Sequence, residues 1–143
     1  MNNSFEFFER AKCSDEEKKT ILPIMLRIIY LLEKARRQGL LSLEDDVEKI
    51  DSFLLKIGLT LIIDGTDPEL VRSILDNYMY SSYLWGKELL ERMVIIEGIM
   101  SIQDGDHPRI LLEKFEGIYI IIKNPFFLFI SNILMISLAI NCK

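Results

Sequence analysis

With 143 residues, half of them hydrophobic and 27% charged, the chain is the size of one domain and too apolar for wholesale disorder. Lys123 and Lys143 are the only charges after Glu116, so the first 117 residues carry 15 basic and 22 acidic groups, a net −7 within an overall −5. Such a surface repels a phosphate backbone and argues against nucleic-acid binding. Cys13 and Cys142, near opposite ends, offer no disulfide framework and suggest a reducing compartment.

The start, MNNSFEFFERAKCSDEEKK, is polar where a secretory signal would need an apolar run. Ser14-Asp15-Glu16-Glu17 matches a capping box. Apolar residues then recur at 21, 24, 25, 28, 32 and 35, the stripe of an amphipathic helix. Leu22, Leu26, Ile29 and Leu31 fill other faces, so its first turns are expected to be covered on most sides. Pro23 marks its start or a kink, and Gly39 is placed to end it in a left-handed turn.

A short helix is expected through Leu43 and Val47, and an apolar one from Phe53 to Ile63, although KIGLTLII also alternates like a strand. In DGTDPE, Asp64-Gly65 stops a helix, Thr66 or Asp67 caps the next, and Pro68 opens it. Leu70, Val71, Ile74, Leu75, Tyr78 and Met79 form its stripe. The same grammar returns as QDGDHPRI, with Gly105 and Pro108 in the corresponding places. Between the two turns, Leu89, Met93, Ile96 and Met100 are spaced for another helix face, and Ser81, Ser82 and Gly86 predict a break near residues 80–86.

Ile118 to Ile140 carries one charge, Lys123, over a length sufficient to cross a hydrocarbon layer as a helix. Asn124-Pro125 and Asn132 leave buried strands or a core helix equally open. Tyr78, Tyr80, Tyr83 and Trp85 cluster in sequence as a binding platform, or as a helix-hairpin tip at a membrane surface or a partner.

Little suggests chemistry. His107 stands before Pro108, where a helix-start role outweighs catalysis, because no nucleophile or carboxylate constellation is readable around it. No Cys or His pair has metal-ligand spacing, and no glycine loop is built to cradle phosphate, so neither a metal, a cofactor nor a small-molecule substrate is expected. More telling is EKARRQGLLSLEDD, where a basic block (Lys34, Arg36, Arg37) and an acidic block (Glu44, Asp45, Asp46) flank QGLLSL. The blocks either neutralise one another or form a two-signed docking face. Glu33 with Arg37 and Asp45 with Lys49 are spaced for helix-surface pairs of a few tenths of a kcal/mol, as on a merely solvated face.

Three phrases, ARRQGLLSLEDDVE, GLTLIIDGTDPELVRSIL and EGIMSIQDGDHPRILLEKF, resemble in order the A subunit of the flagellar motor stator, the MotA family. They lie within residues 20 to 116. In that family the first two phrases belong to a cytoplasmic loop and the third follows the fourth membrane helix. The resemblance therefore implies the cytoplasmic part of a stator subunit without its ion-conducting spans, with residues 80–86 closing an antiparallel helical pair. It further implies docking to the rotor switch protein through Arg36 and Glu44, with Arg37 and Asp45 beside them. Stator A and B subunits become candidate partners, and the cytoplasmic face of the inner membrane the expected location.

The expectation is an all-α fold, a small domain of antiparallel helices over residues 1–117 with a hydrophobic tail over 118–143. It acts by protein contact in torque transmission or its modulation, is no enzyme, and conducts no ions on its own. Gly39, Gly65, Pro68, Gly105 and Pro108 set its turns. The alternatives are a truncated stator product without an independent role, and a tail-anchored membrane adaptor.

Overall fold

The computed structural model describes residues 9–80 and 83–120, and these form an all-α bundle. Its helices are α1 (Asp15–Lys19), α2 (Leu22–Gln38), a 3-10 turn (Leu40–Leu43), α3 (Glu44–Val47), α4 (Phe53–Ile63), α5 (Pro68–Tyr80), α6 (Gly86–Asp104) and α7 (Pro108–Ile120). Phe53–Ile63 is helical, so the alternating KIGLTLII is not a strand. Residues 121–143, which hold most of the hydrophobic tail, lie outside the described residues, as do Ser81 and Ser82. No helix among the described residues is long and apolar enough to cross a membrane.

The local signals act where the sequence puts them. Ser14 Oγ accepts from Glu17 N at 3.2 Å while Glu17 Oε2 accepts from Ser14 N at 2.8 Å, a reciprocal capping box. Pro23 sits in the first turn of α2, where a missing N–H costs no helix bond. The two Asp-Gly turns share one construction. After α4, Thr66 N bonds to Leu61 O (3.0 Å) and Gly65 N to Ile62 O (3.2 Å). After α6, Asp106 N bonds to Ser101 O (3.0 Å) and Gly105 N to Ile102 O (3.2 Å). Both are Schellman closures around a positive-φ glycine, and they satisfy carbonyls that the helix end would otherwise orphan. Each is followed two residues later by a side-chain cap: Asp67 Oδ1 accepts from Glu69 N at 2.9 Å and His107 Nδ1 from Arg109 N at 3.1 Å. His107 is thus a helix-start residue.

α6 is the axis. Leu89, Leu90, Val94, Ile95, Ile96, Ile99 and Ile102 are buried, covering all its faces, so the single face read from residues 89, 93, 96 and 100 was too narrow. α2, α4, α5 and α7 all pack on it. Close approach is set by two glycines: a Cβ on Gly98 would overlap Ile28 of α2, and one on Gly58 of α4 would overlap Ile99. Along α5 and α6, Thr66 O accepts from Gln103 (2.7 Å), Arg72 pairs with Glu97 (3.8 Å), and Tyr78 O accepts from Arg92 (2.8 Å). Partners descend α6 as they climb α5. α2 runs in the same sense as α6: Cys13, just before α1, lies beside Gly86, and Ile28 of α2 lies against Gly98.

α7 is fixed by a polar knot. Lys114 Nζ reaches Asp106 Oδ2 (2.8 Å), Ser101 Oγ (3.0 Å) and Glu97 Oε1 (3.3 Å), and Ser101 Oγ donates to Asp106 Oδ2 at 2.8 Å. Burial pushes the Asp106 carboxyl up, but the bonds from Lys114 and Ser101 outweigh it and hold it below the usual carboxylate range. Ser101 is fully buried within this knot, so its hydroxyl is a strut and not an accessible nucleophile.

Two expectations about covering need correction. Leu26 is 45% exposed, because α2 meets α6 through Ile28 and no described element covers its outer face. Leu70 is likewise exposed, and α5 is anchored through buried Val71 and Leu75.

The packing predicts that Gly98→Ala and Gly58→Ala each destabilise the fold by about 1–3 kcal/mol, the usual cost of overpacking. Gly117, exposed in α7 with open space around it, is the control: Gly117→Ala should stabilise by about 0.5–1 kcal/mol through helix propensity. Chemical denaturation of the three variants checks both signs.

Candidate partner-binding face

The face is built where α2 stops. Gly39 ends the helix, its N–H donating to Ala35 O at 2.7 Å, but with φ 85° and ψ 163° it is not in the left-handed helical turn expected. This extended, positive-φ conformation is essentially restricted to glycine, and it sends the chain directly into the 3-10 turn. There Gly39 O accepts from both Ser42 N (3.2 Å) and Ser42 Oγ (2.7 Å), locking the bend. Leu43 and Val47 then insert into the core and draw the acidic segment onto the bundle.

The charge blocks divide. One member of each pairs across the bend: Lys34 Nζ lies 2.7 Å from Asp46 Oδ2, and Arg27 Nη2 lies 3.1 Å from Asp46 Oδ1. Both carboxylate oxygens are therefore satisfied, as a side chain only 8% exposed requires. The hydrogen bond to Asp46 is the main cause that holds the Lys34 ammonium above its ordinary pKa. The other members stay outside. Arg36, Arg37, Glu44 and Asp45 are all exposed, and among the described residues neither Glu44 nor Asp45 forms an ion pair within 4.0 Å. Arg37 pairs with Glu33 at 3.1 Å, and Arg36 lies 3.7 Å from the same carboxylate.

The expected Asp45–Lys49 pair is not formed, because α3 stops at Val47 and never presents those positions one turn apart. Beyond Glu44 and Asp45 an open groove is lined by Glu48, Thr60, Ile63 and Asp64, so the acidic side extends to the end of α4. Between the two signs stands Leu41, 68% exposed, an apolar residue that the charge pattern alone does not single out. Gly65, Pro68, Gly105 and Pro108 occupy the two Schellman-and-proline turns and play no part in this face.

The burial of Asp46 as an anchor, and Arg27 as its partner, are what the sequence reading missed. A signal was present: Asp46 adjoins Val47 and lies three residues after Leu43, positions that face the core, so its carboxylate had to find a partner. Nothing in the sequence says that the partners are Lys34 and Arg27. Among the described residues no group of three or more His, Cys, Asp or Glu is placed to hold a metal ion. Burial pushes the Cys13 thiol up, away from the low values of reactive cysteines.

Comparison with known proteins finds relatives over about half of the chain. Motility protein A of Borreliella burgdorferi is 42% identical over 69 residues, which cover 48% of this chain and 24% of that protein. Motility protein A of Treponema phagedenis is 36% identical and that of Bacillus subtilis 46% identical, each over 66 residues covering 46% of this chain and 24% of the relative. The chain thus spans about a quarter of the length of the curated relatives it matches. No protein-family model and no solved structure matches it. Over that stretch the chain is similar to motility protein A.

If Asp46 is the anchor and its neighbours are display, truncations should separate them. Asp46→Ala is expected to cost about 1–3 kcal/mol, since it leaves two cations without their shared acceptor. Glu44→Ala and Asp45→Ala should stay within about 0.5 kcal/mol of the parent. Urea denaturation followed by circular dichroism measures all three.

Proposed function

We propose, from the kinship with motility protein A, that this chain is a stator-like component of the flagellar motor. It touches the rotor switch protein through Arg36, Arg37, Glu44 and Asp45, in torque transmission or its modulation, at the cytoplasmic face of the inner membrane. The observation that carries the reading is the division of the charge blocks. Lys34 and Asp46 satisfy one another, and a pair of guanidiniums and a pair of carboxylates remain in water on either side of a glycine bend.

A folded surface that only needed solubility would gain nothing from fixing such groups with a buried ion pair beneath them. Held at the end of α2 and on the short α3, they can meet a surface of complementary signs, with Leu41 supplying apolar contact at the centre. Charged contacts of this kind steer encounter and fix orientation more than they add affinity, which suits a contact made and broken repeatedly. The chain conducts no ions by itself on this reading. Stator A and B subunits are further partners on the same reading.

Binding of the purified chain to the rotor switch protein tests it. Arg36→Glu and Glu44→Lys should each weaken binding by about tenfold while leaving helix content unchanged. The parent interaction should fade between about 0.1 M and 1 M salt, as the screening length drops from about 10 to 3 Å. Binding indifferent to both reversals and to salt removes the docking face.

A further inference from the structure

The two ends of α6 differ in kind. Nineteen residues at about 1.5 Å each set them roughly 28 Å apart. Thr66, Gln103 and the polar knot mark the Gly105 end, toward which α2 carries Arg36 and Arg37. The Gly86 end is aromatic: Tyr80, Tyr83 and Trp85 are 56%, 88% and 59% exposed. Arg10 ties the start of the described chain to this end, its guanidinium 4.9 Å from the Tyr83 ring centroid and 5.1 Å from that of Trp85, while Nη2 donates to Leu84 O at 2.8 Å. Three large rings in water are unfavourable by the area they leave hydrated. All three carry a polar handle, the property that places Tyr and Trp at the boundary between water and hydrocarbon.

An independent observation says what covers them. α7 folds back along α6, because Lys114 meets Glu97 as well as Asp106. Six residues further, at about 1.5 Å each, Ile120 has moved some 9 Å closer to the Gly86 end. The sequence that follows, IIKNPFFLFISNILMISLAINCK, has two lysines, no acid, and an apolar stretch of membrane-spanning length. α7 therefore points toward the aromatic end, and the sequence that follows it is of the kind that enters lipid.

We propose that the aromatic end is seated on a phospholipid bilayer, with Tyr83 and Trp85 at headgroup depth and the charged face at the far end of α6. The surface is distinct from that charged face, and the inference stands whether or not the rotor reading does. The competing occupants are the chain's own tail, folded back into the groove of about 500 Å³ between Phe53, Tyr78, Leu84 and Arg92, and a second copy of the chain.

Trp85 is the single tryptophan, so its emission reports on this end and not on the tail. The full chain is mixed with phosphatidylcholine vesicles, with and without bromine on the acyl chains near the headgroup. The expected result is co-flotation, a blue shift of Trp85 on adding vesicles, and loss of its emission with the brominated lipid. Moving the reporter to the neighbouring ring, Tyr83→Trp in a Trp85→Phe background, should give the same response. Co-flotation with Trp85 still open to aqueous iodide would mean that the tail alone binds, and overturns the proposal. So does a Trp85 already shielded before vesicles are added, which points to the tail or a second copy, and so does failure to float.

Discussion

A carboxylate that the core will not leave in water governs the architecture around residues 27 to 47. Asp46 follows Leu43 into the bundle, and its charge is tolerable there only because Arg27 and Lys34 reach it from α2. That requirement fixes the angle at which the 3-10 turn and α3 fold back on α2. It also decides which charges are left to meet a partner, since the groups that are spent inside cannot act outside. The glycine bend at residue 39 is the complementary constraint. Its φ of 85° leads directly into the turn that carries Leu43 and Asp46 to their buried places.

The remainder of the bundle is packed around α6. α6 is surrounded on every face, and α2 and α4 lie close to it because Gly98 and Gly58 offer no side chain at the crossings. The knot of Lys114, Asp106, Ser101 and Glu97 pins α7 to the same axis. Close-packed interiors deform little, so the charged end and the aromatic end are held apart by packed helices. The repeated Asp-Gly-x-x-Pro turn reverses the chain at the charged end twice, which keeps the aromatic end for the α5–α6 connection and the departure of α7.

Much of this was legible in the residues. Capping boxes, Asp-Gly stops and proline starts are local chemistry, so Ser14, Gly65, Pro68, Gly105 and Pro108 announce their roles within four or five positions. The extent of α4 was also readable from the Asp64-Gly65 stop, although its alternation fitted a strand; in the structure Ser52 Oγ accepts from Leu55 N and caps its start. What was hidden is non-local. Nothing in the periodicity of α6 says that four other helices surround it, and the exposure of Leu26 follows only from which side of α2 meets Gly98. The conformation of Gly39 depended on the turn that follows it. The pairing of Asp46 with Arg27 across 19 residues is a tertiary fact. The four charged members of the candidate face were named from the charge blocks and the family resemblance, whereas the exposed Leu41 between them and the partners of Asp46 were not.

Amide hydrogen exchange of the full chain carrying Asp46→Asn measures the central claim most directly. If the buried carboxylate holds the bend, protection should fall across residues 40–48 while the amides of α6 keep theirs, because the loss is a local opening and not global unfolding. Unchanged protection across residues 40–48 would mean that the turn is held by Leu43 and Val47 alone, and that the ion pair is a passenger.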